Sequence, residues 1–282
     1  FTNKAAREMQ QRIATIIPDP ALTTQLWMGT FHAIFARILR IEAEKIGFPT
    51  NFSIYDAEDA KSMIETIIKE LQLPTDKYKT NVVSNRISQA KNNLLTPQAY
   101  SQHLEVRGND EAAGLGKIAD IYRIYAQRCL QAAAMDFDDL LLKTYILLAK
   151  NADVLAKYQQ KFKYLLIDEF QDTNPAQYAI VKLLAQQHRN ICIVGDDAQS
   201  IYAFRGATIQ NILNFERDYP EMKTFKLEQN YRSTQHIVQI ANEVIAANSN
   251  QIAKQIWTSN ETGNKTRLLI TSSDIEEAKL VA

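Results

Sequence analysis

Cysteine is almost missing from this chain: Cys129 and Cys192 stand far apart, outside any CxxC spacing. Four histidines are present and form neither HExxH nor another paired spacing. A disulfide framework and a zinc site are therefore not indicated, and a reducing, cytoplasmic setting is expected. Neither charge sign is in excess, with 32 Lys plus Arg against 32 Asp plus Glu. No bulk basic field draws in nucleic acid, so such a partner has to be held by local geometry and stacking. No apolar run approaches the length of about 20 residues needed to span a bilayer. Internal repeats and low-complexity stretches are also lacking. What is there is globular: 282 residues, 46% of them apolar, enough to bury one large core or two modest ones. Phe1 rather than Met opens the chain, which predicts further sequence upstream.

The organising stretch is Tyr164–Asn174. Four apolar residues, Tyr164 to Ile167, read as a buried strand that stops at two adjacent carboxylates, Asp168 and Glu169. Ligands of open α/β sheets sit beyond the carboxyl ends of strands, so acids there are placed to meet a metal or a phosphate. Asp168 suits Mg²⁺, which takes carboxylate oxygens together with water and phosphate. Glu169 suits the orientation or deprotonation of an attacking water. A structural role coexists: Asp172, Thr173 or Asn174 caps a helix starting at Pro175. A second apolar run, Ile191 to Gly195, reads as another buried strand and also ends in acids, Asp196 and Asp197. Gln199 follows as an uncharged donor suited to sensing a terminal phosphate.

Elsewhere the pattern is mostly helical. Phe1 to Met9 reads as a strand end followed by a helix capped by Thr2 or Asn3, and Gly29-Thr30-Phe31-His32 repeats that arrangement. Such caps can hold phosphate, yet most only cap, and His32 taken alone reads mainly as structural. From Asp56 to Leu130 an all-helical insertion is expected, with Lys77, Lys79, Arg86 and Lys91 on a solvated helix surface or a nucleic-acid track. The acids of Met135–Leu141 read mainly as helix capping. Tyr202 and Phe204 lie in a loop with Arg205, where aromatic faces stack on bases or anchor the loop. Thr224–Leu227 and Leu268–Ile270 are predicted as strands, with helices over Gln235–Ala246 and Asp274–Val281. Between them Tyr231 can stack on a planar base, and Arg232 offers a fork suited to phosphate.

The succession FTNKAAREM, GTFHA, MDFDDLL, LLIDEFQDTNPAQY, IVGDDAQSIYAFRGA and LEQNYRST closely resembles the UvrD/Rep/PcrA family of superfamily 1 ATP-dependent DNA helicases. The resemblance implies an α/β fold: a RecA-like P-loop NTPase parallel sheet with helices on both faces, plus an all-helical insertion subdomain. Residues 1–55 and 131–223 then form a first motor domain, 56–130 the insertion, and 224–282 the start of a second motor domain. It implies a 3′-to-5′ helicase or translocase that couples Mg-ATP hydrolysis to movement along single-stranded DNA in repair or replication, at single/double-strand junctions and with repair or replication proteins, in the cytoplasm at the nucleoid. By the same resemblance Asp168 binds Mg²⁺, Glu169 is catalytic, Gln171 couples, Gln199 senses the γ-phosphate, and Arg205 links the aromatic loop to the nucleotide. Tyr231 stacks on adenine and Arg232 is the arginine finger. Tyr202 and Phe204 carry the bases, and Phe1, Thr2, Asn3, Thr30 and His32 contact DNA.

Three departures accompany the match, the first being that the family's later motifs of the second motor domain, with an additional arginine, do not occur in these residues. The family often has Trp where Phe204 stands, and no GxxxxGK-(Ser/Thr) phosphate loop occurs in these residues. The chain is therefore expected to begin just after that loop and to hydrolyse ATP weakly by itself. Rival readings are a metal-dependent nuclease built on Asp168, Glu169, Asp172, Asp196 and Asp197, and a non-catalytic module that binds single-stranded DNA or a partner.

Overall fold

The computed structural model describes residues 3–17, 19–203, 206–248 and 252–282, apart from the side chains of Asn3, Pro20 and Thr24. The chain divides into two units, Phe1–Ile212 and Leu213–Ala282. In the first, helices α1 (Asn3–Ile16), α2 (Pro20–Gln25) and α3 (Phe31–Glu42) lead to a short strand β1 (Ser53–Tyr55). Helices α4 (Ala57–Glu70), α5 (Thr80–Asn92), α6 (Pro97–Gln102), α7 (Leu104–Ala112) and α8 (Ile118–Gln131) follow without an intervening strand among the described residues. Then come β2 (Ala134–Asp136), α9 (Phe137–Lys150), α10 (Ala152–Lys161), β3 (Leu165–Ile167), α11 (Pro175–Ala185), β4 (Ile191–Ile193) and the short α12 (Gln210–Leu213).

The helices start where side chains satisfy the first free backbone N–H groups. Thr30 caps α3 by accepting from the Ala33 N–H, and Asp136 and Asn174 open α9 and α11 with reciprocal capping boxes to Asp139 and Gln177. Pro175 takes the first helical position of α11, where its missing N–H costs nothing. Each such cap contributes about 1 kcal/mol. Apolar residues at helical spacing bury the inner face of α3 through Phe35, Ile38 and Leu39, which pack with Leu140, Leu147 and Ile180 in one core. Truncating a residue such as Leu39 to Ala there would cost about 2–5 kcal/mol. A second core is made wholly from α4 to α8 and their connections, around Ile67, Val83, Ile87, Ile121, Tyr122 and Tyr125.

The strands are shorter and barer than the sequence suggests. β3 pairs in parallel with β4, Leu166 opposite Cys192, and β1 pairs in parallel with β2, Ile54 opposite Met135. Among the described residues these are two separate two-stranded sheets rather than one sheet covered on both faces. The expected buried strands at Tyr164–Ile167 and Ile191–Gly195 are buried on one side only: Leu165 packs against the core and Ile167 is buried, while Leu166 is 78% exposed and Cys192 is exposed. Period-two alternation explains this, since neighbouring strand residues face opposite sides. β1 and β2 were not expected; each is only three residues long and is set by its partner more than by its own composition.

The second unit contains α13 (Phe215–Asp218), α14 (Gln235–Ala246) and α15 (Asp274–Val281). Thr224–Leu227 and Leu268–Ile270 do not form strands, contrary to expectation; a strand needs a ladder partner, and Ile270 is left 87% exposed. An isolated parallel bridge joins Gln229 to Trp257, with the Asn230 N–H donating to the Trp257 carbonyl at 2.7 Å. No described helix is long and apolar enough to cross a membrane.

Candidate functional site

The ends of β3 and β4 lie side by side because their ladder runs on past the strands. The Val194 N–H donates to the Ile167 carbonyl at 2.8 Å and the Phe170 N–H to the Val194 carbonyl at 2.9 Å. The chain turns sharply between these bonds, with Glu169 in the left-handed region at φ 50° and ψ 46°. A non-glycine residue there is uncommon, and strain of this kind clusters at working sites. The turn leaves Asp168 exposed and Glu169 half-exposed while Phe170 and Gln171 are buried.

Gln171 is the connector. Its Nε2 donates to Glu169 Oε2 at 2.6 Å and its Oε1 accepts from the Asp196 N–H at 3.0 Å. Asp196 then accepts from Gln199 Nε2 on Oδ2 at 2.6 Å and from the Ala198 N–H on Oδ1 at 3.1 Å. A continuous line of polar contacts therefore runs from Glu169 to Gln199 across the two strand ends. Gly195 makes room for it: a Cβ there would sit 2.8 Å from Gln171 Oε1 and 3.1 Å from Ile212 Cδ1. Asp168 Oδ1 accepts from the Glu169 N–H at 3.0 Å, and the carboxylate otherwise faces outward. Near Glu169, Asp172 has its pKa raised by burial and then by the Glu169 charge, and its Oδ1 is buried with no hydrogen-bond partner among the described residues.

The other expected site residues are placed as follows. Thr30 caps α3 and His32 sits half-buried in its first turn, edge-on to Phe137 at 5.8 Å; burial lowers the His32 pKa, so the ring is neutral at neutral pH. Tyr202 is exposed beyond β4. Phe1, Thr2, Phe204 and Arg205, with the side chain of Asn3, lie outside the described residues. In the second unit Tyr231 is 78% exposed with its hydroxyl donating to Gln229 Oε1 at 2.8 Å, and Arg232 is exposed, its backbone held by Asn230 Oδ1 at 2.9 Å. The five acids of the nuclease reading do not converge: among the described residues no group of three or more His, Cys, Asp or Glu could hold a metal ion.

Lys91 overturns its expected place on the surface. It is 1% exposed, with Nζ 2.6 Å from Asp136 Oδ2 and 2.9 Å from Asp139 Oδ2, and Tyr125 donates to Asp136 at 2.7 Å. Burial opposes its charge, yet Asp136 and Asp139 outweigh that and hold its pKa above the ordinary lysine value. The acids of Met135–Leu141 thus cap α9 and also neutralise a buried cation. The signal was in the spacing: Val83, Ile87 and Lys91 recur every four residues, so Lys91 lies on the buried stripe of α5.

A parallel α/β edge closed by carboxylates and carboxamides belongs to the class of sites that receive ligands beyond the strand ends. Within that class the chain is a member of the UvrD/REP helicase family: residues 1–220 match the UvrD/REP helicase N-terminal domain, and residues 225–282 match the UvrD-like helicase C-terminal domain. It is 42% identical over 281 residues to the ATP-dependent DNA helicase PcrA of Leuconostoc citreum. It is 43% identical over 286 residues to that of Staphylococcus aureus (strain Mu50 / ATCC 700699), and 43% identical over 281 residues to that of Staphylococcus epidermidis. Each match covers 100% of this chain and 37% of the relative, so the chain spans just over a third of the curated relatives' length.

Proposed function

We propose that the whole protein is an ATP-dependent DNA helicase or translocase that moves 3′-to-5′ along single-stranded DNA, in the cytoplasm, in repair or replication. The observation that carries this reading is the Glu169–Gln171–Asp196–Gln199 line of contacts across two parallel strand ends. Asp168 fits a magnesium ion, because Mg²⁺ takes one or two carboxylates with phosphate and water, and its carboxylate faces outward at the site. Bound there with ATP, the ion would neutralise charge on the phosphates.

The remaining roles belong to the chain. Glu169 orients and deprotonates the attacking water, while Gln171 fixes its carboxylate and ties it to the end of β4. Gln199, released from Asp196, reports the γ-phosphate. Tyr231 is assigned to adenine, Arg232 to the γ-phosphate, and Arg205 to the link between the nucleotide and the aromatic loop. Tyr202 and Phe204 are assigned to stacked bases, and Phe1, Thr2, Asn3, Thr30 and His32 to DNA, including single/double-strand junctions where repair or replication proteins also act. Neutral His32 would serve as a hydrogen-bonding rather than a charged contact. Residues 1–55 and 131–223 are assigned to a first RecA-like motor domain, 56–130 to a helical insertion, which the separate core of α4–α8 supports, and 224–282 to part of a second motor domain.

The test is ATP hydrolysis by the full-length protein, with and without single-stranded DNA, beside Glu169→Gln. Loss of a positioned general base should lower DNA-stimulated hydrolysis by about 10²–10⁴-fold and leave DNA binding in place. Unchanged hydrolysis in the variant would sink the assignment.

A further inference from the structure

We propose that Asn92, on helix α5, is a positioning residue for the acid site: it sets the loop after β3 through a direct side-chain bond to Asn174. The inference rests on the ATPase reading above and adds a residue to which no part of that reading assigns a role.

The bond is directional and buried. Asn92 Nδ2 donates to Asp138 Oδ1 at 2.9 Å and to the Ser88 carbonyl at 2.9 Å, which turns its Oδ1 to accept from Asn174 Nδ2. Asn174 Oδ1 is already taken by the Gln177 N–H at 2.9 Å in the cap of α11, so both ends of this amide are committed. Asn92 and Asn174 are both buried. A buried amide that loses its partner costs about 1–3 kcal/mol, so the pair holds one geometry.

Asn174 closes the segment that begins at the acids. Thr173 Oγ1 donates to the Phe170 carbonyl at 2.7 Å. Asn211 Nδ2 donates to the Thr173 carbonyl at 3.0 Å and the Asn174 carbonyl at 3.3 Å, and the Thr208 N–H donates to the Thr173 carbonyl at 3.1 Å. Thr173 and Asn174 are thus held by Thr208 and Asn211, and Asn174 on its other side by α5. Helix α5 is in turn fixed by Lys91 between Asp136 and Asp139, one residue from Asn92. A shift of α5 therefore bears directly on Asn174, and Gln171 and Glu169 stand three and five residues before it in the same segment.

The experiment measures DNA-stimulated ATP hydrolysis by the full-length protein, separating kcat from KM, with a thermal melt on each variant. Asn92→Ala should lower kcat about tenfold, within the range that residues remote from both ligands exert on coupling, and leave the KM for ATP within about twofold. Asn92→Asp should be as poor, because it faces Asp138 with a second carboxylate. Adding Asp138→Asn reverses that donor and acceptor and lets Asn174 still donate, while the Ser88 carbonyl loses its side-chain donor, so part of kcat should be restored. Restoration in the double variant also excludes general misfolding as the cause. A kcat that stays at the wild-type level in Asn92→Ala, a loss no larger than the fall in folded fraction, or a double variant no better than Asn92→Asp would each overturn the proposal. A wild-type protein inert toward ATP would instead overturn the reading on which it rests.

Discussion

Replacing Lys91 by Met takes the ammonium group out of the middle of a buried ion cluster and tests how much that cluster matters. In the wild type one ammonium group lies within 2.9 Å of two carboxylates in a site where it is itself 1% exposed. Methionine keeps the bulk of the side chain and removes the charge, leaving Asp136 and Asp139 to repel each other away from water. Breaking a buried pair by removing one partner costs about 3–5 kcal/mol. For a unit of this size each kcal/mol lowers Tm by about 2–4 °C, and the midpoint of urea unfolding should fall in step. The loss depends on pH. In the wild type the pKa of Asp136 is lowered: burial alone would raise it, but Lys91 prevails. That contribution is present above the unfolded carboxylate value, near about 4, and fades as pH falls through the folded one. In Lys91→Met Asp136 loses the cation that lowers its pKa, and Asp139, already raised in the wild type by burial and then by the Asp136 charge, rises further, so the variant gains stability as they protonate. The gap between the two proteins should be widest near neutrality and narrow toward pH 4, which urea titrations followed by circular dichroism at both pH values would show. A variant within about 1 kcal/mol of wild type at pH 7, or a gap that widens in acid, would refute the argument.

Gly195→Ala should push Gln171 away from Glu169 and slow ATP hydrolysis about tenfold, as loss of an outer support to a catalytic group does, which steady-state kinetics on the full-length protein would detect. Tyr202→Ala should weaken single-stranded DNA binding by about 1–3 kcal/mol with no preference for sequence, measured by fluorescence anisotropy on oligonucleotides of different composition. In the native protein Cys192, which is exposed, should react with a thiol reagent, while Cys129, buried and with its pKa pushed up to about 12, should react only after unfolding; labelling of Cys129 in the folded protein, located by peptide mass spectrometry, would contradict the packing of α8.

The strand-end acids were legible because four apolar residues followed by Asp168 and Glu169 leave few other readings. The capping of α11 was legible too, and of the three candidates the structure selects Asn174. What the sequence hid is pairwise. Nothing local says that Gln171 also reaches the Asp196 N–H, or that Gly195 must lack a Cβ, because that contact joins segments 25 residues apart. Lys91 was misplaced on its charge although its register pointed inward, and the match to Asp136 and Asp139 spans a long-range contact. The strands expected at Thr224–Leu227 and Leu268–Ile270 failed for the converse reason: β-propensity proposes a strand, and only a neighbour makes one.

Strands that run side by side in the same direction cannot be joined by a hairpin; a whole helix has to cross over before the second can pair with the first. Here that helix is α11, between β3 and β4. On a ribosome, Asp168 and Glu169 therefore emerge well before Asp196 and Gln199 and wait, unassembled, until the crossing is complete. A nascent chain halted between them carries one acid-bearing strand end without the other, and Gln171 has no Asp196 N–H to accept from.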